Sequence, residues 1–183
     1  MYLLFVQNIE TTPNLQALKF VINEILLKRG TRFFENKITA EKDSLAKEIF
    51  KISGVVSVFY MDKFITIEKT SDANWLDIQK QFNKLLRDFD KSFISAERDA
   101  NVSVSENETD TLQKIVKIID KKIKPFLAGD GGGLDILEFK NNNLKIKYLG
   151  ACGNCTSSIN GTQKVIESLL RREINSSINV VSV

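Results

Sequence analysis

The sequence predicts an α+β protein, made of two small α/β-sandwich-like domains that a polar linker joins. Short apolar runs typical of strands alternate with longer stretches of helical periodicity, and this pattern stops over residues 91–109 before it resumes. The chain has 183 residues, of which 43% are hydrophobic, a length that suits one large or two small domains. We therefore predict an N-terminal domain at 1–90, a flexible linker at 91–109 and a C-terminal domain at 110–183.

The sequence of the N-terminal domain predicts four strands and two helices. Apolar runs bounded by turn residues indicate strands at 3–6, 18–22, 55–60 and 64–67. One helix opens at Asp43-Ser44 and stops at Gly54, and a second carries an apolar face from Trp75 to Phe89. Since this domain has no thiol and no visible catalytic constellation, we expect it to recognise partners or to modulate the second domain.

The sequence of the C-terminal domain predicts helices and strands in the order α-β-β-α-β. An amphipathic helix ends at the glycine cluster 129–133, and its apolar stripe comprises Leu112, Ile115, Val116, Ile119, Ile123 and Phe126. Strands at 134–139 and 144–148 follow, joined by an asparagine turn. A helix at about 156–172, with Ile159, Val165, Ile166 and Leu169 inward, and a strand at 178–183 complete the domain.

Composition excludes several classes of protein. The net charge is only +3, so the composition carries no strong pull toward nucleic acid, and no apolar run reaches the roughly 20 residues that a membrane span needs. The first residues predict a strand and not a signal peptide. We therefore expect a cytoplasmic protein of bacterial type, or a protein of an organelle matrix shown without its leader.

The cysteine and histidine content leaves thiol chemistry at a single C-x-x-C pair as the candidate functional chemistry of the chain. The chain has no histidine, which excludes imidazole catalysis and histidine-ligated metals. Its two cysteines, Cys152 and Cys155, are three positions apart, so a disulfide framework is not expected. They follow a predicted strand and open a predicted helix, where unpaired amides and the helix dipole stabilise thiolates.

Four interpretations of this C-x-x-C pair remain open on the residues alone. The cysteines could pack in a turn, complete a zinc site across a dimer, serve a thioredoxin-like dithiol enzyme, or supply half of an iron–sulfur site. A four-thiolate cluster needs two such chains and would lie on the two-fold axis of a dimer. A site of that kind is exposed and opens easily, which suits a protein that gives its cluster away.

The order of motifs along the chain resembles the NifU-like (Nfu) family of iron–sulfur cluster scaffold and carrier proteins. In the C-terminal domain the resemblance rests on KPFL at 124–127, DGG at 130–132 and GACGNCTSS at 150–158. In the N-terminal domain it rests on TPN at 12–14, LKF at 18–20, SLA at 44–46, Phe50, GV at 54–55, VF at 58–59 and FITI at 64–67. The chain departs from many relatives in having Thr156 after the second cysteine and an extra Gly133.

The resemblance implies a non-enzymatic cluster carrier. It implies that Cys152 and Cys155 of two chains bind a [4Fe-4S] cluster, or a [2Fe-2S] cluster, as a homodimer that forms on loading. The partners would be a cluster-donor scaffold and recipient apoproteins, with neither nucleic acid nor membrane involved. The alternative function is a dithiol–disulfide oxidoreductase using the same two cysteines.

Overall fold

The protein divides into two compact units, residues 1–99 and 100–183. The computed structural model describes residues 3–94, 109–153 and 156–183. Helices and two separate sheets occur in these ranges, so the predicted α+β class is confirmed. Of the predicted linker, Lys91–Phe93 form a 3-10 turn, whereas 95–108 lie outside the described residues. No helix in the described ranges is both long and apolar enough to cross a membrane.

The N-terminal unit contains a five-stranded sheet in the order β1-β2-β5-β4-β3, in which every pairing is antiparallel. Its strands are β1 Val6–Thr11, β2 Ala17–Ile22, β3 Arg32–Phe34, β4 Val55–Met61 and β5 Phe64–Lys69. The prediction of a first strand at 3–6 is wrong, because the partners of β2 are residues 6–11. Strand β3 was not predicted, since three residues are too few to show alternation.

Two helices pack against one face of this sheet. Helix α1 spans Ser44–Ile49 and α2 spans Trp75–Asp88. Each begins after a side chain that accepts a hydrogen bond from its first turn: Asp43 Oδ1 from the Ala46 N–H at 2.8 Å and Asn74 Oδ1 from the Leu76 N–H at 2.8 Å. Such caps satisfy amides that have no partner within a helix. The predicted helix start at Asp43-Ser44 is therefore confirmed.

Asp43 also joins the helix to the sheet through a buried polar network. Its Oδ2 accepts a hydrogen bond from Arg32 Nη1 at 2.6 Å and another from the Tyr60 hydroxyl at 2.7 Å, while Asp43 is only 6% exposed. Burial and the neighbouring Asp43 charge raise the pKa of Tyr60, so its hydroxyl remains a donor. One carboxylate thus accepts hydrogen bonds from the first turn of α1, from Arg32 on β3 and from Tyr60 on β4.

The C-terminal unit packs helices on a three-stranded sheet in the order β6-β7-β8. Its elements are α3 Thr109–Ile118, a π-helical turn Ile119–Ile123, α4 Lys124–Gly129, β6 Gly132–Lys140, β7 Asn143–Gly150, α5 Thr156–Glu173 and β8 Asn179–Ser182. Strands β6 and β7 are antiparallel, and β7 and β8 are parallel. Asn141 and Asn142 have positive φ in the β6–β7 turn, as the asparagine run predicted.

The π-helical turn changes which side chain faces the core. The Lys124 N–H donates to the Ile119 carbonyl, five residues back, and Pro125, which has no N–H, follows at once. The wider turn shifts the apolar stripe by one residue. Leu127 is therefore buried and Phe126 is 65% exposed, so the inclusion of Phe126 in the buried stripe was wrong.

Helix α5 buries a narrower face than its composition suggested. Ile166 and Leu170, four residues apart, are fully buried, whereas Val165 is 59% exposed. The prediction that Val165 faces inward is wrong, because it lies about 100° around the helix from Ile166. The side chain of Ile159 lies outside the described residues.

Replacement of Asp43 by alanine tests the buried network. We expect Asp43→Ala to lower the free energy of unfolding by about 3 kcal/mol, because the helix cap and the buried ion pair with Arg32 are both lost. Urea unfolding followed by the fluorescence of Trp75, the one tryptophan of the chain, measures this unit. As control, Glu41→Ala breaks an exposed ion pair with Lys47 and should cost under about 0.5 kcal/mol. Equal losses in the two variants would contradict the network's role.

Candidate metal centre

The candidate site lies where β7 ends and α5 is about to begin. Strand β7 ends at Gly150, the turn Ala151–Gly153 follows, and α5 starts at Thr156. The structure places Cys152 within this turn. Asn154 and Cys155, the second predicted ligand, lie outside the described residues.

Two backbone hydrogen bonds hold the turn. The Ala151 N–H donates to the Gly131 carbonyl at 3.3 Å, and the Gly153 N–H donates to the Gly150 carbonyl at 3.0 Å. Gly131 and Gly150 have φ of 76° and 62°, a region that favours glycine. Gly131, just before β6, and Gly150, the last residue of β7, thus bring the two strand ends together beside the cysteine.

Gly132 leaves the space that Cys152 occupies. A Cβ atom at position 132 would lie 2.5 Å from Cys152 Sγ and 2.7 Å from the Leu149 carbonyl oxygen, closer than real Cβ atoms approach such neighbours. Gly132 pairs with Gly150 at the end of the β6–β7 ladder. Because both paired residues lack side chains, the sulfur can lie directly against the sheet.

Cys152 is buried in the structure. It is 4% exposed and belongs to the hydrophobic core cluster of the C-terminal unit. The exposure expected of a cluster site shared by two chains stays a prediction, whereas the Cys152 side chain itself is buried. The physical reason is the missing side chain at Gly132, which lets the thiol pack inward.

Tyr148 is a site residue that the sequence did not single out. It is 5% exposed and belongs to the same core cluster as Cys152, while its hydroxyl has no hydrogen-bond partner among the residues described. Burial first, and then the charge on Cys152, raise the pKa of Tyr148. A phenol in a predicted strand gives no signal of this kind, because its orphaned hydroxyl depends on tertiary packing.

The acidic residues near the site have structural positions. Asp130 ends α4, where its N–H donates to the Phe126 carbonyl at 3.3 Å, in keeping with its interpretation as a turn residue. Burial raises the pKa of Asp135, against the opposing effect of Lys124 and Lys147. Across the described part of the chain, no three His, Cys, Asp or Glu side chains are grouped to hold a metal ion.

Gly132→Ala tests the close approach at the site. The added Cβ must displace Cys152 or the Leu149 backbone, so we expect the C-terminal unit to lose about 2 kcal/mol of stability. The measurement is urea unfolding by circular dichroism, recorded beside Trp75 fluorescence, which reports on the other unit. Gly129→Ala is the matched control, because a Cβ there meets nothing within 4 Å. Equal stability of the two variants would contradict the close packing of Gly132 against Cys152 and Leu149.

Both units match described protein families. Residues 6–93 match the family described as "Scaffold protein Nfu/NifU N terminal", and residues 115–181 match the family described as "NifU-like domain". The two matches follow each other in the order that the sequence motifs indicated.

Curated relatives match across both units. A protein of Drosophila sechellia named "NFU1 iron-sulfur cluster scaffold homolog, mitochondrial" is 32% identical over 173 residues, which cover 90% of this chain and 61% of the relative. The protein of the same name from Drosophila willistoni is 33% identical, with 90% and 60% covered. The chain thus spans about three fifths of the length of these relatives.

Among solved structures, a NifU-like protein from Saccharomyces cerevisiae is 32% identical, with 45% of this chain and 76% of that protein covered and a TM-score of 0.41. The family assignment rests on the two family matches and on their order along the chain. The chain therefore belongs to the NifU-like (Nfu) family, with an Nfu-type N-terminal domain followed by a NifU-like C-terminal domain.

Proposed function

We propose that this protein is a non-enzymatic iron–sulfur cluster scaffold and carrier. Cys152 and Cys155 from each of two chains bind one [4Fe-4S] cluster, and the loaded homodimer transfers it to recipient apoproteins. The cluster is the cargo of the protein and leaves intact. The curated relatives, which are named as iron–sulfur cluster scaffold homologues, support this proposal.

The observation that carries the proposal is the half-site. The chain contains two cysteines and no histidine, and Cys152 lies at a glycine-lined junction without a cluster of other metal ligands in the described residues. Four-thiolate clusters require twice the thiols that one chain has. A second copy of the chain supplies the missing pair with two-fold symmetry.

Loading requires the turn at Ala151–Gly153 to expose the Cys152 sulfur, since that side chain is 4% exposed. The turn is short and lies between Gly150 and Gly153, two residues with wide backbone freedom. In the unloaded state the same burial shields the thiol from oxidants, because oxidation follows exposure and thiolate character.

Transfer to a recipient proceeds by exchange of thiolate ligands. An incoming recipient thiol loses its proton and binds iron, while the departing Cys152 or Cys155 thiolate takes up a proton. Bonds to iron are exchanged one for one, so neither iron nor sulfide changes its oxidation state. No electron donor is needed for the step.

The partners follow from this role. They are a donor scaffold that supplies the cluster, a second copy of this chain, and apoproteins with vacant thiolate sites. The N-terminal domain recognises partners or modulates the site. The protein acts in a bacterial-type cytoplasm or an organelle matrix, and the relatives named as mitochondrial favour the matrix.

Anaerobic reconstitution with iron and sulfide tests the proposal. We expect visible absorbance, about two irons per chain and a dimer, as one shared four-iron cluster requires. Cys152→Ala and Cys155→Ala should each abolish all three, because each removes two of the four ligands from the dimer. Gly161→Ala is the control, since a Cβ there meets nothing within 4 Å, and it should load normally.

Other outcomes have distinct meanings. About one iron per chain would indicate a [2Fe-2S] cluster instead. A colourless monomer that forms a reversible Cys152–Cys155 disulfide would contradict the carrier function and support the dithiol oxidoreductase. Loading that survives either cysteine substitution would also contradict the assigned ligands.

A further inference from the structure

A groove of about 490 Å³ lies between the π-helical turn and the second half of α5 in the C-terminal unit. Its floor is apolar, because Ile123 is buried and Leu169 is half-buried, and both pack in the core of this unit. Val165 also lines the groove, and 59% of its surface is exposed. The groove therefore offers apolar surface that the core does not use, a feature typical of contact sites.

The rim of the groove is cationic. Lys122 comes from the π-helical turn, whereas Lys164 and Arg172 come from α5. One carboxylate serves two of these cations, since Glu173 pairs with Lys122 at 2.5 Å and with Arg172 at 3.3 Å. Lys164 has no carboxylate partner among the described residues. The rim thus keeps a net positive charge.

Other carboxylates on the same elements are engaged with other cations. Glu167, one turn along α5 from Lys164, pairs with Arg171 at 2.9 Å. Asp120, in the π-helical turn, pairs with Lys124 at 2.7 Å. Lys164 lies in the middle of α5, where the helix dipole does not favour a cation as it does in the last turn. Neither an ion pair nor the dipole accounts for its position.

We propose that this groove docks an acidic amphipathic helix of a partner protein. Val165 and Leu169 are four residues apart and lie on one side of α5, so they match apolar side chains at helical spacing on the partner. Carboxylates beside that apolar stripe face the cationic rim. The concave shape of the surface favours a helix over a membrane, because a lipid surface binds the projecting apolar face of a helix.

The position of the groove suits recognition without loss of access to the cysteines. Lys164 follows Thr156, the first residue of α5, by eight positions, which is about 12 Å along the helix axis. The groove and the turn that carries Cys152 therefore lie at different ends of α5. Single π-helical turns are frequent at functional sites. That the partner is a cluster recipient rests on the proposed function, whereas the docking itself does not.

Binding of a probe peptide to the full, cluster-free chain tests the inference. The probe is a fluorescein-labelled helix of leucine and glutamate with leucines at helical spacing, and its counterpart has lysine in place of glutamate. In fluorescence anisotropy at low salt, we expect the acidic probe alone to bind. Lys164→Glu should weaken its binding about tenfold, because an attraction becomes a repulsion. Val165→Ser should weaken it about fivefold, because apolar contact is lost.

Lys114→Glu is the matched control, since it makes the same charge change at an exposed residue of α3 that does not line the groove. It should alter binding by less than about twofold, because salt screens distant charges. Circular dichroism should show that all three variants stay folded, because the substituted side chains are exposed.

Four outcomes would overturn the inference. They are equal binding of both probes, equal weakening by Lys164→Glu and Lys114→Glu, binding to phosphatidylserine vesicles but not to the acidic probe, and a cluster-free dimer that Val165→Ser dissociates. The third would indicate a membrane site, and the fourth would indicate that a second copy of this chain covers the groove. Since no iron is present, each result is independent of the reconstitution experiment.

Discussion

The absence of a side chain at Gly132 is the constraint on which the C-terminal site depends. Because only hydrogen fits between Cys152 Sγ and the Leu149 carbonyl, the turn after β7 can fold back against the start of β6. The bond from the Ala151 N–H to the Gly131 carbonyl fixes that approach. Cys152 is thereby held at the sheet end, within the core cluster that contains Tyr148.

The two units differ in whether their buried polar side chains have hydrogen-bond partners among the described residues. In the N-terminal unit, Asp43 accepts from Arg32, Tyr60 and the Ala46 N–H, so the network is satisfied and stabilises the fold. In the C-terminal unit the Tyr148 hydroxyl is buried without a partner in the described residues.

Sequence patterns predicted most of what depends on local periodicity and residue type. The α+β class, the capped start of α1 at Asp43 and the asparagine turn before β7 follow from local rules. Sequence patterns did not predict the features that depend on contacts between residues distant in the sequence or on an irregular helical turn. The π-helical turn before Pro125 turns Phe126 outward, and the close approach at Gly132 depends on the β6–β7 register. The orphaned Tyr148 hydroxyl likewise exists only after the core has formed.

We propose that one four-iron cluster joins two copies of this chain through Cys152 and Cys155 of each. Anaerobic native mass spectrometry of the reconstituted protein is the sharpest test, because it measures the mass of the intact complex with its cargo. We expect a species with the mass of two chains plus one [4Fe-4S] cluster, and cluster-free chains that lack this added mass. A cluster carried by a single chain, or a loaded dimer with one cluster on each chain, would contradict it.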